Sequence, residues 1–305
     1  MIGVFGANGF IGKHLTRALA AAGEEVVAVG RRFDDDMRAL DVTRVEGDLA
    51  QADVMGKALV GVDTVVHLMG SSTPALGNAR AAEDIEADVI PHVRFIDQCV
   101  SAGVGRFIFA SSGGTVYGPV SDDAPVPEST PTNPICSHGV TKLMVEHFIR
   151  LNGHLHGMDY VIARIANPYG PGQVFRNGQG LIPAVLQRYQ DGQPIAILGD
   201  GSASRDYVYI DDVIEALRAC IVAPDRLELV VNIGTGHATS ISEILTTIET
   251  VAGIKFDIEH RPPRASDVHS VALDVSRAKE VLGWRPRTSL RDGIAHTVTP
   301  LRLAR

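Results

Sequence analysis

The sequence predicts an α/β protein: a doubly wound parallel sheet carrying a smaller, discontinuous C-terminal lobe. Three observations lead there. Short apolar runs suited to burial on both faces alternate with helical stretches. Glycines spaced three and three punctuate the join between the first strand and the first helix. Segments rich in Gly, Gln and Pro (168–205) and in Pro and Arg (261–264) follow downstream, suited to the carboxyl edge where open parallel sheets hold ligands.

Taken in order, Ile2 to Phe5 is a short apolar strand and Gly6 to Gly9 a tight turn. Phe10 to Ala22 is an alanine-rich helix that Gly23 closes, as glycine commonly does just past a helix end. Val26 to Val29 is the second strand; Val62 to Met69 and Phe107 to Ala110 repeat the theme, and Tyr160 to Ile165 and Leu229 to Ile233 add to the sheet. No repeat or flexible linker cuts the chain. The expected division is a dinucleotide-binding, Rossmann-like domain over 1–166 and 206–235, and a second lobe over 167–205 and 236–305.

Composition narrows the function. The chain has 305 residues, 45% of them hydrophobic and 21% charged, which excludes general disorder. Its formal net charge of −8 gives no basic footprint for nucleic acid or an anionic membrane, so small-molecule partners are expected. Cys99, Cys136 and Cys220 suggest neither a disulfide framework nor a zinc site. No basic leader precedes the first strand, and no run reaches the roughly 18 apolar residues of a membrane span. A cytoplasmic location is expected. His154 and His156 lack nearby Cys or carboxylate partners and are assigned no metal.

The loop Gly6-Ala7-Asn8-Gly9-Phe10-Ile11-Gly12 carries the first chemical signal. Absent side chains permit a tight turn and bring backbone close to a pyrophosphate, which the helix N-terminal amides can hold. At the end of the second strand, NAD binders place an acid on the ribose 2′-hydroxyl, whereas this chain has Gly30-Arg31-Arg32. Arg31 and Arg32 suit a 2′-phosphate, so NAD and NADP both stand, with Asp34, Asp35 and Asp36 close behind as alternative ribose partners. Asp48, after the third strand, reads as an adenine contact or as a simple turn aspartate.

Several further segments, in one order, resemble a known family. They are Gly47-Asp48-Leu49, Val66-His67-Leu68, the stretch from Ala110-Ser111-Ser112 to Val116-Tyr117-Gly118, and Arg164-Ile165-Ala166-Asn167-Pro168-Tyr169-Gly170-Pro171. Gly199-Asp200-Gly201, Arg205-Asp206-Tyr207-Val208 and Gly283-Trp284-Arg285-Pro286 complete the set. Together with the glycine loop they resemble the extended short-chain dehydrogenase/reductases, in particular the NAD-dependent epimerase/dehydratase family typified by UDP-glucose 4-epimerase.

That resemblance implies a nucleotide cofactor on the sheet and a nucleotide-diphosphate sugar in the smaller lobe, UDP ahead of TDP. It implies removal of hydride from the carbon bearing the 4-hydroxyl, rotation of the keto sugar, and return of hydride to the other face. It also implies cofactor contacts from Gly6, Asn8, Gly9, Phe10, Ile11, Gly12, Asp48, Leu49, Leu68 and Lys142. Substrate contacts are implied for Ser72, Ser112, Asn167, Leu181, Ile197, Arg205, Arg264 and Asp267, and a homodimer is implied as well. An arginine suits a diphosphate because its planar fork donates two bonds. Arg205 beside Asp206 also reads as a structural ion pair, and the apolar residues of 180–183 and 194–197 also read as core.

The catalytic trio departs from the family. Ser112 and Lys142 match, but where the family has tyrosine, glycine, two residues and lysine, this chain reads His138-Gly139-Val140-Thr141-Lys142. The spacing of one helical turn is kept, so both side chains can share a face. The chemistry changes: a nearby cation favours a phenolate but disfavours an imidazolium. His138 is therefore expected to rest neutral and to accept the sugar hydroxyl's proton. Between Ser112 and Val116 stand Gly113, Gly114 and Thr115, with no carboxylate to remove water, so 4-epimerisation or one-way keto-sugar reduction is expected over dehydration. Three readings remain: an NAD(P)-dependent epimerase, an NADPH-dependent keto-sugar reductase, and a catalytically impaired dinucleotide or sugar-nucleotide sensor.

Overall fold

Apolar runs that can be buried on both faces become the central strands. The computed structural model describes residues 1–70, 81–120, 124–175, 180–224, 226–262 and 270–301. Its strands are β1 (Ile2–Phe5), β2 (Val26–Gly30), β3 (Thr43–Glu46), β4 (Thr64–His67), β5 (Arg106–Ser112), β6 (Asp159–Ile165) and β7 (Asn167–Tyr169). They continue as β8 (Ile195–Leu198), β9 (Ser204–Tyr209), β10 (Leu229–Ile233), β11 (Ala238–Ser240), β12 (Ile258–Arg261) and β13 (Ser270–Val271). Seven of them form a parallel sheet in the order β10-β6-β5-β4-β1-β2-β3. The direction of winding reverses between β1 and β4, where Phe5 pairs with Val29 on one side and His67 on the other.

Strand alternation divides the core in two. Val4, Ala28, Val66, Ile108 and Val161 face the helices Phe10–Ala21 and Ile210–Val222. Phe5, Val27, Val65, Phe107 and Ile162 face Ala52–Ala58, Ile90–Ser101 and Ser137–His156. The predicted Rossmann-like sheet is thus the observed one, and the anticipated strands and first helix agree within a few residues at their ends.

The smaller sheets sit on the chain's return paths. β9 pairs with β7, β11 and β13, and β8 pairs with β12. Residue 206 lies inside β9, which runs directly into the Ile210–Val222 helix packed on the large sheet. Asp206 knits the two parts: its carboxylate accepts from Thr235 N (2.8 Å) and Oγ1 (2.6 Å), Gly236 N (3.1 Å) and Leu273 N (3.1 Å). Trp284 Nε1 donates to the Asp212 carbonyl at 2.9 Å, and the Asp212 carboxylate takes the backbone amides of Arg287 and Thr288.

On the opposite face, Arg164 of β6 donates to both oxygens of Glu146 (3.1 and 2.7 Å), and Ser111 of β5 donates to the same carboxylate at 2.5 Å. All three are buried. They lock the Ser137–His156 helix to two adjacent strands.

His67, at the end of β4, is buried among aromatic rings, with centroids 5.0 Å to Phe95, 5.7 Å to Phe107 and 4.8 Å to His92. Neither of its ring nitrogens has a hydrogen-bond partner among the described residues. Burial, then the charges of His92 and Lys142, hold it well below the usual imidazole range, and burial lowers His92 as well. Both rings stay neutral when folded but titrate near pH 6.5 when unfolded, so falling pH favours unfolding. Stability in urea is expected to decline below about pH 6.5 with a slope of up to ~1.4 kcal/mol per pH unit for each ring. Denaturation curves from pH 7.5 to 5 check this, and His67→Phe is expected to flatten the decline.

Candidate functional site

The glycine loop lies at the reversal of the sheet. Gly6 has φ +96, and a Cβ there would stand 3.0 to 3.1 Å from the backbone of Leu68 and Met69. At Gly12 a Cβ would stand 2.1 Å from the Gly6 carbonyl oxygen, so only glycine lets the helix start this close to the turn. Gly9 is the helix N-cap and leaves the first-turn amides without a side-chain cap, the arrangement that accepts a phosphate. Asn8 Oδ1 is buried beside this turn without a partner among the described residues. Open first-turn amides and a backbone cradle fit a dinucleotide pyrophosphate.

The other sequence-predicted cofactor residues border the same edge. Phe10 and Ile11 are half-buried against the main core. Leu68 follows β4, its amide bonded to the Phe5 carbonyl at 2.8 Å, and Leu49 packs on the second core. Arg31 and Arg32 are exposed immediately beyond β2. Two of the three acids behind them are engaged elsewhere: Asp34 caps the next helix through Met37 N and pairs with Lys13, which holds its carboxyl below the ordinary range, and Asp36 pairs with Arg17 at 3.1 Å. Asp48 is exposed and braces its own turn, accepting from Ala50 N at 3.1 Å.

The second cluster forms where β5 ends against the Ser137–His156 helix. Ser112 closes β5 and starts the turn Gly113–Val116. The helix packs on that turn so tightly that a Cβ at Gly139 would lie 2.8 Å from the Thr115 carbonyl oxygen. His138 is buried in the helix's first turn, its carbonyl accepting from Thr141 Oγ1 at 3.0 Å. Beside it, Ser137 Oγ donates to Asp84 at 2.5 Å. Lys142 follows one turn later, half-buried, with Nζ donating to the Ala110 carbonyl at 2.9 Å and lying 4.7 Å from the Phe109 ring centroid. Burial lowers its ammonium to about 8, against the opposing pull of Asp88 and Glu146. Ser112, His138 and Lys142 thus gather at one end of β5.

Of the predicted sugar-nucleotide residues, Asn167 borders this cluster: its amide is 3.7 Å from the place of a Gly114 Cβ and donates to the Asp206 carbonyl at 3.1 Å. Arg205 donates to the Ser204 carbonyl at 2.8 Å, while its neighbour Asp206 turns inward to the bonds described above. Leu181 is half-buried at the start of its helix, and Ile197 points into the core at 4% exposure. Ser72, Arg264 and Asp267 lie outside the described residues.

Sequence reasoning missed Asp88 and His92. Asp88 sits in a single π-turn, Ile85–Val89, that leads into the helix Ile90–Ser101. His92 is buried with Nδ1 facing the Asp88 carbonyl and Nε2 3.3 Å from the Met69 carbonyl, so a neutral ring donates to one of them. Gly70, Asp88, His92, Thr141, Lys142 and Val145 line one small cavity. A π-turn leaves no periodic signature, and the one local hint was a Lys142-distant Asp and His four residues apart.

The model of the NAD dependent epimerase/dehydratase family matches residues 2–234. The chain belongs to that family. A UDP-glucose 4-epimerase of Mycolicibacterium smegmatis is 33% identical over 309 residues, covering 97% of this chain and 96% of the relative. A dTDP-4-dehydro-6-deoxyglucose reductase of Escherichia coli is 34% identical over 242 residues, 79% of this chain and 75% of the relative. Among solved structures, Thermus thermophilus UDP-glucose 4-epimerase in complex with NAD superposes with a TM-score of 0.92 at 27% identity, covering 99% of this chain and 98% of that one. NAD is the cofactor of this epimerase/dehydratase family, and the glycine cradle fits its pyrophosphate.

The cradle makes a sharp prediction. Gly12→Ala is expected to lower stability by about 1–3 kcal/mol through overpacking and to abolish NAD binding, whereas Gly9→Ala, whose Cβ would meet only the Gly6 carbonyl oxygen at 3.1 Å, is expected to weaken binding and leave the fold intact. Urea midpoints and titration of NAD by calorimetry check the pair.

Proposed function

We propose that this protein is an NAD-dependent 4-epimerase of a UDP-sugar in which His138 is the proton acceptor. The observation that carries the reading is the gathering of Ser112, His138 and Lys142 at the end of β5, next to a cradle suited to a dinucleotide. When bound, NAD supplies reversible acceptance and donation of hydride. The protein's residues handle the proton. Ser112 is suited to bond the sugar's 4-oxygen and orient it; the neutral imidazole of His138 takes the hydroxyl proton and returns it to the same oxygen after the sugar has turned. The Lys142 ammonium favours negative charge developing on that oxygen.

The turn after Ser112 favours epimerisation over loss of water. Gly113, Gly114 and Thr115 supply no carboxylate for that step, and at Gly113 a Cβ would stand 2.4 Å from a Leu273 methyl and 3.0 Å from the Arg164 carbonyl oxygen. Asn167 and Arg205, on β7 and β9, are suited to the diphosphate, with Arg264 and Asp267 as further candidates.

A second reading, keto-sugar reduction with NADPH, has one feature in its favour: Gly30-Arg31-Arg32 ends β2 without an acid and with two exposed guanidinium groups. Incubation with a panel of UDP- and TDP-sugars, followed by proton NMR of the ring carbons, separates the two. Inversion at C4 without added reductant is expected; turnover only with added NADPH would establish the reductase. His138→Phe is expected to lower kcat by about 10²–10⁴ and His138→Tyr to raise it, while undiminished activity of the Phe variant would remove the imidazole from the mechanism.

We also propose a homodimer through the Ser137–His156 helix. Val140, Leu151 and Leu155 are exposed on it, with Met144 half-buried between them, at spacings that form one apolar stripe. Sedimentation is expected to show a dimer, and Leu151→Glu with Leu155→Glu a monomer.

A further inference from the structure

Replacing a phenol by an imidazole changes the charge of the whole site. A phenolate beside a lysine ammonium is neutral overall before it takes a proton and singly positive after. An imidazole beside the same ammonium is singly positive before and doubly positive after. In a site closed to water, the second charge strongly opposes proton capture. One buried carboxylate close to the lysine would restore the first balance.

The fold supplies one. Asp88 is only 4% exposed and lines the same small cavity as Lys142, Thr141 and His92. A buried carboxylate is costly unless a cation or hydrogen bonds accompany it. The other buried acid on this face, Glu146, is committed to Arg164 and Ser111. Asp84, on the hydroxyl of Ser137, is partly exposed and better screened by solvent. We propose that the buried Asp88 carboxylate is the counter-charge that allows His138 to accept the substrate's proton beside Lys142. Asp88 is a positioning residue: it acts through the field at Lys142 and His138. The inference rests on the reading of His138 as proton acceptor.

The titratable and charged groups on the elements packed around this charge are His67 of β4, His92 of the Ile90–Ser101 helix, His138, Lys142 and Glu146 of the Ser137–His156 helix, Arg164 of β6 and Asp84 of the preceding turn, and of these His92 and Lys142 line the cavity with Asp88. Asp88 counts among the influences that keep Lys142 charged and that raise His92. The π-turn itself suits such a role, since single π-turns in helices occur often at functional positions.

A double-variant cycle tests the proposal. Asp88→Asn in the wild-type background is expected to lower kcat about tenfold and to move the acidic limb of the rate profile down by about one pH unit, because the imidazolium loses its counter-charge. In the His138→Tyr background the same change is expected to raise kcat, because an anion beside a phenolate opposes its formation. Equal losses in both backgrounds would overturn the proposal. The coupling is also read without turnover: with histidine labelled at Cε1 and His138 assigned by its absence in His138→Tyr, NMR titration is expected to show the His138 midpoint about one pH unit lower in Asp88→Asn. An unmoved midpoint would overturn the proposal even if activity fell. Should Asp88→Asn fail to fold, Asp88→Ser is titrated in its place, and Asp88→Glu is expected to keep the wild-type midpoint. Full activity of His138→Phe, by contrast, would defeat the reading of His138 while leaving the measured coupling intact.

Discussion

The site depends on a buried ion pair that takes no part in proton transfer. Glu146 receives two bonds from Arg164 and one from Ser111, which binds the Ser137–His156 helix to β5 and β6 at once. Removing one partner of such a pair leaves a charge stranded away from water, typically at a cost of about 3–5 kcal/mol. Glu146 lies one turn beyond Lys142 and two beyond His138, and Ser111 precedes Ser112. One carboxylate therefore sets the register between the helix that carries two of the three candidate catalytic groups and the strand that carries the third.

Around that clamp the site is assembled from parts with different tolerances. At the glycine loop the limit is steric, set by backbone atoms that a single methyl group would strike. At the helix the limit is electrostatic: Lys142, half-buried and drawn to the Ala110 carbonyl, shares a small cavity with Asp88 and His92. His67 lies behind them in an aromatic shell, where its neutral ring fills space much as a phenylalanine would. The same desolvation that keeps the His67 and His92 rings uncharged makes every charge that does remain there count for more.

What could be read from the sequence follows from how local each signal is. The β1-loop-helix unit was legible because strand hydrophobicity, glycine spacing and the closing Gly23 all lie within two dozen residues. Ser112 and Lys142 were legible through motif order, and His138 as the departure within it. The clamp, the Asp88 cavity and the His67–His92 pair were not, because each joins elements far apart in the chain through contacts that leave no periodic trace. β9 likewise joins its sheet through partners far from it in the chain. Ile197 shows the ambiguity of apolar positions, its side chain being taken up by the core.

The end of β2 carries a consequence for how this scaffold could diversify. A Cβ at Gly30 would meet Asn8 and Phe33 at no less than 3.6 Å, ordinary contact distance. The backbone there is indifferent to whether a side chain is present. Room for a side chain is thus already present where β2 ends, with the strand, the turn and the phosphate cradle all left in place.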